Sequence, residues 1–340
     1  MKQVWIPRAG GPEVLELREA PDPEVKPGHV RIRVAYSGVN FADASARLGL
    51  YPDAPPMPFV VGYEVSGVVD QVGPGTSGFK EGDRVLAFTR FGGYSDVVVT
   101  PQEFTYHVPG DLTLDKAAGI PVTYFTAWTM LVYLGNVRRG ETVLVHAAAG
   151  GVGLSALQIC KLRGATVIGT ASASKHARLQ ELGVAHCIDY TTQNFQEEVA
   201  RITGGKGVDL ILDAVGGKSY QMSYDSLAPL GRLYMFGGSA FTPGKTRSIP
   251  AILKAFFAMP SFKPFKLMDK NRGVFGVNLG HLWDEHQKLR GMMDEITPHL
   301  VSHALDPVID KVFPFARAAE AHTLIHERKN FGKILLRPES

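Results

Sequence analysis

The segment VLVHAAAGGVGLSALQICKLRG, residues 143–164, determines the fold of the second half of this chain. It joins a strand-like apolar run to a glycine-rich turn and then to a helix with apolar residues at helical spacing. Ala148, Gly150 and Gly153 occupy the three glycine positions of the pattern GxGxxG, and Gly151 lies between them. A strand, a glycine turn and a helix in this order indicate the first unit of a dinucleotide-binding parallel sheet.

This turn has the properties that binding of a diphosphate requires. Gly150 allows the backbone to approach the diphosphate closely, and Gly153 permits tight packing of the helix on the strand. The first helical turn, which contains Gly151 and Val152, presents backbone N–H groups toward an anion. A tight turn with only a structural role is the alternative. The flanking strand and helix, with another strand about 20 residues on, favour a dinucleotide.

The end of the next strand indicates which nicotinamide coenzyme binds. An enzyme that uses NAD places an acidic side chain there for the ribose 2′-hydroxyl. This chain has TASASK at 170–175, and Ser172, Ser174 and Lys175 offer hydrogen bonds and positive charge to a 2′-phosphate. The alternative is that Ser174 caps the next helix and Lys175 is solvated, and capping is compatible with phosphate binding. We therefore predict NADPH as the cofactor.

Strands and helices alternate regularly on both sides of this segment. The predicted strands are TVLVHAA at 142–148, TVIGTA at 166–171, HCIDY at 186–190, DLILDAV at 209–215, RLYMFGG at 232–238 and VFGVNLG at 274–280. This alternation predicts an α/β fold with a parallel sheet. We assign residues 122–299 to a Rossmann domain with a doubly wound parallel sheet.

The first part of the chain consists of short β-rich runs separated by Gly and Pro. These runs are HVRIRVAYSGV at 29–39, VSGVVDQVG at 65–73, DRVLAF at 83–88 and YSDVVVT at 94–100. Such frequent turns indicate a mostly antiparallel barrel or sandwich, which the proline-rich loop at 50–59 interrupts. The β-like end of the chain, NFGKILLRP, is expected to rejoin this domain. Its predicted bounds are therefore 1–121 and 300–340.

Length and composition exclude several classes of protein. A chain of 340 residues exceeds one hydrophobic core, which predicts two domains. The 36 Lys and Arg residues are balanced by 33 Asp and Glu residues and are spread along the chain, so nucleic acid is not an expected partner. No apolar run approaches the roughly 20 residues of a spanning helix, and the N-terminus lacks a secretion signal, so we expect a cytoplasmic protein.

Several separated motifs agree with one known family. They are GVNFAD at 38–43, RLGLYP at 47–52, GYEVSGVV at 62–69, GFKEGDRV at 78–85, AAGGVG at 148–153, the Lys175 region, IDY at 188–190 and GKILL at 332–336. With them the chain resembles, essentially end to end, the quinone oxidoreductase branch of the medium-chain dehydrogenase/reductase superfamily. YLGNV, GTASASKH and LMDKNRGVFGVNLGHL at 267–282 look like its vesicle amine transport protein 1-like subgroup. The resemblance implies a GroES-like, mostly β catalytic domain beside the Rossmann domain.

The resemblance also implies roles for individual residues. Three are implied near the nicotinamide, as catalytic candidates: Asn40, Asp43 and Tyr51. Four more are implied at the cofactor, the first three around its 2′-phosphate: Ser172, Lys175, Tyr190 and Asn330. From residue type alone, Asp43 as the cap of a local turn and Tyr51 packed against the proline loop are the alternatives.

The chain departs from the zinc-bearing relatives of this family. Those relatives use Cys in GVC and His in GHE, whereas the matching positions here are Asn40 and Tyr63, and Glu64 remains without these partners. A catalytic zinc needs three protein ligands, and the two cysteines of the chain, Cys160 and Cys187, cannot form a four-cysteine structural site. We therefore predict no metal. The eleven histidines are scattered, and surface or core roles are predicted for them.

Hydride transfer without a metal suits a quinone or an α,β-unsaturated carbonyl, because a hydrogen-bond donor can then stabilise the carbonyl oxygen that gains charge. Tyr51 and the amide of Asn40 are candidate donors, and Asp43 is expected to orient them or the nicotinamide ribose. The predicted function is therefore zinc-independent, NADPH-dependent reduction of such a small molecule.

The segment 248–276 supports an alternative function. It mixes Phe, Leu and Met with Lys and Arg, as interfacial segments do, so the alternative is a lipid- or membrane-associating nucleotide-binding protein with little redox activity. A cover over the substrate or a dimer contact would use the same residues. Both are favoured over peripheral membrane docking, because prolines prevent one long amphipathic helix. The resemblance also implies a homodimer formed through the apolar strand VFGVNLG.

Overall fold

The computed structural model describes residues 1–339, and the chain divides into two compact units. The first unit comprises Met1–Phe125, Gly244–Arg247 and Gly280–Ser340, and the second comprises Thr126–Pro243 and Ser248–Leu279. The long helix that begins at His286 therefore belongs to the first unit.

The described residues contain sixteen strands and eleven α-helices. The strands are β1 (Lys2–Ile6), β2 (Glu16–Glu19), β3 (His29–Val39), β4 (Phe59–Val60), β5 (Glu64–Val72), β6 (Arg84–Phe88), β7 (Val97–Pro101), β8 (Thr105–His107), β9 (Thr142–Val145), β10 (Thr166–Ala171), β11 (His186–Asp189), β12 (Val208–Asp213), β13 (Leu227–Met235), β14 (Gly273–Gly276), β15 (Ile309–Pro314) and β16 (Lys333–Arg337). The helices are α1 (Phe41–Arg47), α2 (Leu114–Ala117), α3 (Pro121–Trp128), α4 (Gly151–Arg163), α5 (His176–Glu181), α6 (Phe195–Ile202), α7 (Lys218–Asp225), α8 (Ile249–Phe257), α9 (Pro264–Lys270), α10 (His286–Val301) and α11 (Ala318–His326).

The second unit contains a six-stranded sheet in the order β11-β10-β9-β12-β13-β14, and all its pairings are parallel. This confirms the predicted doubly wound α/β fold. Every predicted strand is present, but several end earlier than predicted. The strand predicted at 209–215 stops at Asp213 because the chain then turns away through Gly216 and Gly217, both with positive φ. Buried aliphatic residues of the central strands, such as Leu144 and Ile211, form its core.

The first unit contains mostly antiparallel sheets, as its short β-rich runs predicted. A three-stranded sheet has the order β2-β1-β4, and a larger sheet has the order β15-β16-β3-β5-β6-β8, with β7 also pairing with β3. The C-terminal strand β16 runs antiparallel to β3, with Leu335 opposite Gly38. This pairing brings residue 333 to the end of β3, where Asn40 is the N-cap residue of α1.

Candidate functional site

The glycine turn, residues 147–150, links β9 to α4 in the second unit. Gly150 is the N-cap residue of α4, and Ala147 has a left-handed backbone with a φ of 52°. A Cβ at position 153 would lie 2.5 Å from the carbonyl oxygens of both Ala147 and Ala148, so only glycine fits there. At Gly150 a Cβ would meet only the Ala147 oxygen, at 3.3 Å. The backbone at Gly150 therefore borders open space, which fits the approach of a diphosphate.

The residues expected at a 2′-phosphate lie at the carboxyl ends of two adjacent strands. Ala171 of β10 is paired with Asp189 of β11, so Ser172 and Tyr190, which follow them, lie at the same edge of the sheet. Tyr190 is 41% exposed. The hydroxyl oxygens of Ser172 and Ser174 are 3.4 Å apart.

Ser174 is not the N-cap residue of α5, in contrast to the alternative considered from sequence. Residue Lys175 is the N-cap of α5, and no side chain caps that helix. The only acidic group that ends β11, Asp189, accepts hydrogen bonds from the backbone N–H and the hydroxyl of Thr191. These bonds lower the pKa of Asp189. The hydroxyls of Ser172 and Ser174 lie within hydrogen-bonding distance of each other at this edge of the sheet.

In the first unit, Asn40 lies in a buried polar cluster that sequence reasoning did not assemble. Its side-chain nitrogen donates to Glu64 Oε1 at 2.9 Å, and its side-chain oxygen accepts from Lys333 Nζ at 2.6 Å. Lys333 also forms an ion pair with Glu64, whose second oxygen accepts from the Val122 N–H at 2.8 Å. Because an ammonium group can only donate, the Asn40 amide is held in one orientation.

Asp43 lies next to this cluster and is completely buried. Its Oδ2 accepts from the backbone N–H of Asn40 at 2.7 Å and from the hydroxyl of Tyr94 at 2.9 Å. Burial raises the pKa of Asp43 to about 7, although both hydrogen bonds lower it. Asp43 therefore caps the first turn of α1, as the local alternative predicted, and it fixes the position of Asn40.

Tyr51 is the third residue expected near the nicotinamide, and it is only partly buried. Its ring meets that of Tyr63 edge-on, with centroids 5.8 Å apart, and Tyr63 in turn packs against Phe91. Burial raises the pKa of Tyr51, so its hydroxyl keeps its proton at neutral pH. Tyr51 thus combines packing against neighbouring aromatic rings with an intact hydrogen-bond donor.

Behind Asp43, a buried guanidinium is surrounded by neutral acceptors. Arg47 lies 3.0 Å from His322 Nδ1 and 3.0 Å from His326 Nε2, and it donates to the Gly10 carbonyl oxygen. His322 Nε2 lies 3.1 Å from the Tyr94 hydroxyl, which links Arg47 to Asp43. Burial lowers the pKa of His326 to about 4 and lowers that of His322 well below its ordinary value, so both rings are neutral.

The last predicted site residue is Asn330, and the predicted absence of a metal concerns the His, Cys, Asp and Glu side chains. Asn330 is buried just before β16 and donates to the carbonyl oxygen of Gly332 at 2.9 Å. Within residues 1–339, no three His, Cys, Asp or Glu side chains are grouped as metal ligands. Lys333 could have been singled out from the GKILL motif, whereas no sequence pattern connects Arg47 with His322, which lies 275 positions away.

Comparison with known proteins identifies relatives along the whole chain. Residues 26–110 match the alcohol dehydrogenase GroES-like domain, and residues 151–297 match the zinc-binding dehydrogenase family. The human synaptic vesicle membrane protein VAT-1 homolog is 39% identical over 325 residues, which cover 95% of this chain and 82% of that protein. A quinone oxidoreductase of Pseudomonas aeruginosa is 35% identical over 340 residues, 99% of each chain.

Solved structures extend the likeness to the three-dimensional fold. The Escherichia coli quinone oxidoreductase, crystallised with NADPH, has a TM-score of 0.88 and 28% sequence identity to this chain. The likeness covers 99% of this chain and 100% of that one.

Proposed function

Because the chain belongs to the quinone oxidoreductase branch of the medium-chain dehydrogenase/reductase superfamily, with VAT-1 homologs among its relatives, we propose that it is an NADPH-dependent oxidoreductase. Its substrate is a quinone or an α,β-unsaturated carbonyl, and it works without zinc. The observation that carries this proposal is the glycine turn before α4, where Gly150 leaves room for a diphosphate and position 153 admits only glycine. The NADPH in the Escherichia coli structure supports the choice of cofactor.

Discrimination between NADPH and NADH is assigned to the carboxyl ends of β10 and β11. Ser172, Ser174 and Lys175 supply hydroxyl groups and one positive charge, and Tyr190 supplies a ring at the same edge of the sheet. Phosphate groups favour such charge-assisted hydrogen bonds. No acidic residue follows β10, so the position at which NAD-dependent enzymes place a carboxylate for the ribose 2′-hydroxyl carries no negative charge here.

Bound NADPH supplies a hydride, which reduces an electrophilic carbon of the substrate. The substrate oxygen then gains negative charge and needs a hydrogen-bond donor. We assign this role to Tyr51, whose hydroxyl stays protonated. The Asn40 amide already donates to Glu64, so we assign Asn40 and Asp43 to positioning the first turn of α1.

The Lys333 ammonium supports the assignment of a zinc-free reaction. It lies against Glu64 and against Asn40, which stands where zinc-bearing relatives have a cysteine ligand. A positive charge therefore already neutralises Glu64, and a divalent cation nearby would be repelled by it. The buried cluster fits an amide and an ammonium better than a metal with three ligands.

The proposal is tested by following NADPH absorbance with a panel of quinones and α,β-unsaturated carbonyls, with and without a chelator. We expect turnover of at least one substrate class, no effect of the chelator and a preference for NADPH over NADH. Absence of binding of either coenzyme in a calorimeter would reject the proposal. Loss of activity in the chelator would reject its zinc-free part.

A second candidate function rests on the exposed side of α8 and α9. Large apolar side chains there are mostly in solvent: Ile249, Phe256, Phe257, Phe265 and Met268 are between 58% and 83% exposed. Lysines lie among them, including Lys254 and Lys266. Apolar and basic residues together suit the surface of an anionic membrane. Among residues 1–339, no helix is long and apolar enough to cross a bilayer.

Co-sedimentation with vesicles tests this second candidate. Binding to vesicles containing phosphatidylserine, but not to phosphatidylcholine alone, is expected if the surface docks on anionic membranes. Phe257→Ser should then reduce the bound fraction, whereas Leu182→Ser, a change of an exposed residue beyond α5, should not. Equal recovery of the protein in the supernatant with both vesicles would remove this function.

A further inference from the structure

A buried chain of hydrogen bonds crosses the carboxyl ends of three neighbouring strands in the second unit. His146, directly after β9, lies 3.2 Å from the hydroxyl of Thr170 on β10 and 3.1 Å from the hydroxyl of Ser223 on α7. Ser223 in turn donates to Oδ2 of Asp213, the last residue of β12, at 2.8 Å. These four residues, here named the His146 chain, are all buried, with no more than 3% of their surface exposed.

The direction of each hydrogen bond follows from the groups involved. The Asp213 carboxylate can only accept, so the Ser223 hydroxyl donates to it and accepts from His146 Nε2. Nδ1 of the neutral imidazole is then an acceptor, and the Thr170 hydroxyl donates to it. Burial lowers the pKa of His146, which keeps the ring neutral. The tautomer of His146 with its proton on Nε2 therefore gives every polar group of the chain a hydrogen-bond partner.

This arrangement of Ser, His and Asp differs from a nucleophilic triad. In such a triad the serine hydroxyl donates to histidine, and the carboxylate accepts from the same ring. Here the Ser223 hydroxyl donates to the carboxylate instead, and Ser223 has no exposed surface. A second serine, Ser219, also donates to Asp213 Oδ2 at 2.7 Å. The His146 chain consequently has a role in positioning the backbone rather than in attacking a substrate.

The two ends of the His146 chain, Thr170 on β10 and Asp213 on β12, are hydrogen-bonded to two loops. At one end, the Thr170 hydroxyl accepts from the backbone N–H of Ala147, the first residue of the glycine turn, at 3.3 Å. At the other end, Asp213 Oδ1 accepts from the N–H groups of Val215 and Gly216, at 2.7 and 3.3 Å. The loop 214–217 follows β12 and is thereby tied to the carboxylate.

The position of these loops in the sheet gives the His146 chain its functional meaning. The strand order reverses between β9 and β12, and ligands of such sheets bind outside the carboxyl ends at this point. A dinucleotide spans two mononucleotide-binding halves, and β12 begins the second half, which receives the nicotinamide nucleotide. The loop 214–217 is placed in that half, and the glycine turn is placed in the first.

We propose that His146 is a positioning residue that, through Ser223 and Asp213, holds the loop 214–217 in the shape that binds the nicotinamide nucleotide of NADPH. This inference rests on the proposed use of NADPH. Loss of the Ser223 hydroxyl would leave the Nε2–H of His146 without an acceptor and remove one of the hydrogen bonds to Asp213. The loop would then lose part of its support, whereas the adenosine end of the site, at β10 and β11, would keep its own residues.

The test compares two ligands on purified protein without substrate. NADPH contains both halves of the dinucleotide, and 2′,5′-ADP contains only the phosphorylated adenosine half. For Ser223→Ala we expect the Kd for NADPH, measured by calorimetry, to rise about tenfold, in line with loss of one buried hydrogen bond. The Kd for 2′,5′-ADP should stay within about twofold of that of the wild-type protein.

Ser226→Ala is the matched control. Ser226 is also buried, follows the same helix and donates to the Met222 carbonyl oxygen at 2.8 Å, but it does not belong to the His146 chain. Its loss should leave both Kd values unchanged. His146→Gln retains a donor and an acceptor and should bind NADPH more tightly than His146→Phe, which retains only the ring volume.

Three results would overturn the inference: equal weakening of NADPH and 2′,5′-ADP by Ser223→Ala, the same NADPH loss in Ser226→Ala, or unchanged NADPH binding in both Ser223→Ala and His146→Phe. If His146→Phe does not fold, as thermal unfolding would reveal, Ser223→Ala decides alone. Failure of the wild-type protein to bind either ligand would reject the proposed cofactor itself, and this outcome is distinct from all three.

Discussion

At the scale of single residues, the side chains expected from sequence have different environments. Lys175 and Tyr51 are partly exposed and can touch a ligand, whereas Asp43 is fully buried. Asn40 is 8% exposed, and its amide is committed to Glu64 and Lys333. Residues that contact a ligand and residues that position others therefore call for different mutational tests.

For Lys175→Ala we expect the KM for NADPH to rise about tenfold or more, because a charge-assisted hydrogen bond to the 2′-phosphate is lost. The KM for NADH should change little, since NADH has no such phosphate. Steady-state kinetics with both coenzymes measure this difference. Lys161→Ala, which removes an exposed lysine from α4, serves as the control. Equal effects of Lys175→Ala on the two coenzymes would contradict the assignment.

For Tyr51→Phe we expect kcat to fall about 100-fold, as is typical when a donor to a developing negative charge is removed. The ring contact with Tyr63 would be retained, so the unfolding temperature should stay nearly the same. Tyr133→Phe removes a hydroxyl from a half-exposed tyrosine of the second unit and should have no effect. An unchanged kcat in Tyr51→Phe would remove its hydroxyl from the mechanism.

At the scale of secondary-structure elements, two contacts have consequences that can be measured separately. Helix α1 is tied to α11 by the hydrogen bonds of Arg47 with His322 and His326. Helix α4 touches the glycine turn so closely that Gly153 is required. The contact of Arg47 with the two histidines makes stability depend on pH. The contact of α4 with the glycine turn makes stability depend on glycine at position 153.

The neutral His326 predicts a loss of stability in acid. Its pKa is lowered from 6.5 to about 4 in the folded protein, so its contribution is present above pH 6.5 and is lost as the pH falls toward 4. A shift of this size corresponds to at most about 3 kcal/mol. We expect His326→Gln, which can still accept from Arg47, to lose less free energy of unfolding between pH 7 and 4 than the wild-type protein.

The other titrating groups are the same in His326→Gln and in the wild-type protein, so their contributions to pH dependence cancel when the two are compared. Asp43, whose pKa is raised from 3.8 to about 7, acts in the opposite sense, because its contribution to stability is full below pH 3.8 and is lost as the pH rises to about 7. It is present in both proteins, so the difference between their urea unfolding curves isolates His326. The exposed His186 provides the control variant His186→Gln, which should follow the wild-type curve. Parallel curves for His326→Gln and wild type would refute the prediction.

For Gly153→Ala we expect a loss of about 1–3 kcal/mol in the free energy of unfolding, because the new methyl group would overlap two carbonyl oxygens. NADPH binding should weaken with it, since α4 must move away from the turn. Gly291→Ala is the opposite case: this glycine lies within α10 with nothing within 4 Å of a new Cβ. Alanine there should stabilise the protein by about 0.5–1 kcal/mol. Urea unfolding measures both, and a stable Gly153→Ala would refute the packing argument.

At the scale of the whole molecule, the parallel sheet ends in an edge strand with an apolar residue. Strand β14 pairs only with β13 in the described sheet, and Phe275 on it is 37% exposed. Edge strands of this kind favour pairing with another chain. The predicted homodimer would cover this edge in solution.

Sedimentation equilibrium at micromolar concentration tests this prediction, with a dimer expected for the wild-type protein. Phe275→Lys should shift the equilibrium toward monomer, because a charge on the edge strand opposes strand pairing. Leu182→Lys changes a residue of similar exposure, 38%, beyond α5, and should leave the dimer intact. A wild-type monomer would show that the edge strand is not an interface.

Much of the proposed cofactor site could be assembled from sequence because its residues are close to one another along the chain. The glycine turn, the start of α4 and the residues after β10 lie within 35 positions of one another, and strand–turn–helix geometry determines their relation. The polar cluster around Asn40 could not be predicted in this way. Lys333 is 293 positions away from Asn40, and Arg47 meets two histidines that no periodic pattern distinguishes from others.

The order of strands and helices, the position of the glycine turn and the absence of an acidic residue after β10 were determined by the amino-acid sequence alone, because each depends on neighbouring residues. Tertiary structure alone decided that Asp43 is buried, that the Asn40 amide faces Lys333 and Glu64, and that His146 joins two loops. Those properties depend on which distant segments exclude water together, and the free energies of buried charges and hydrogen bonds are set only by that packing.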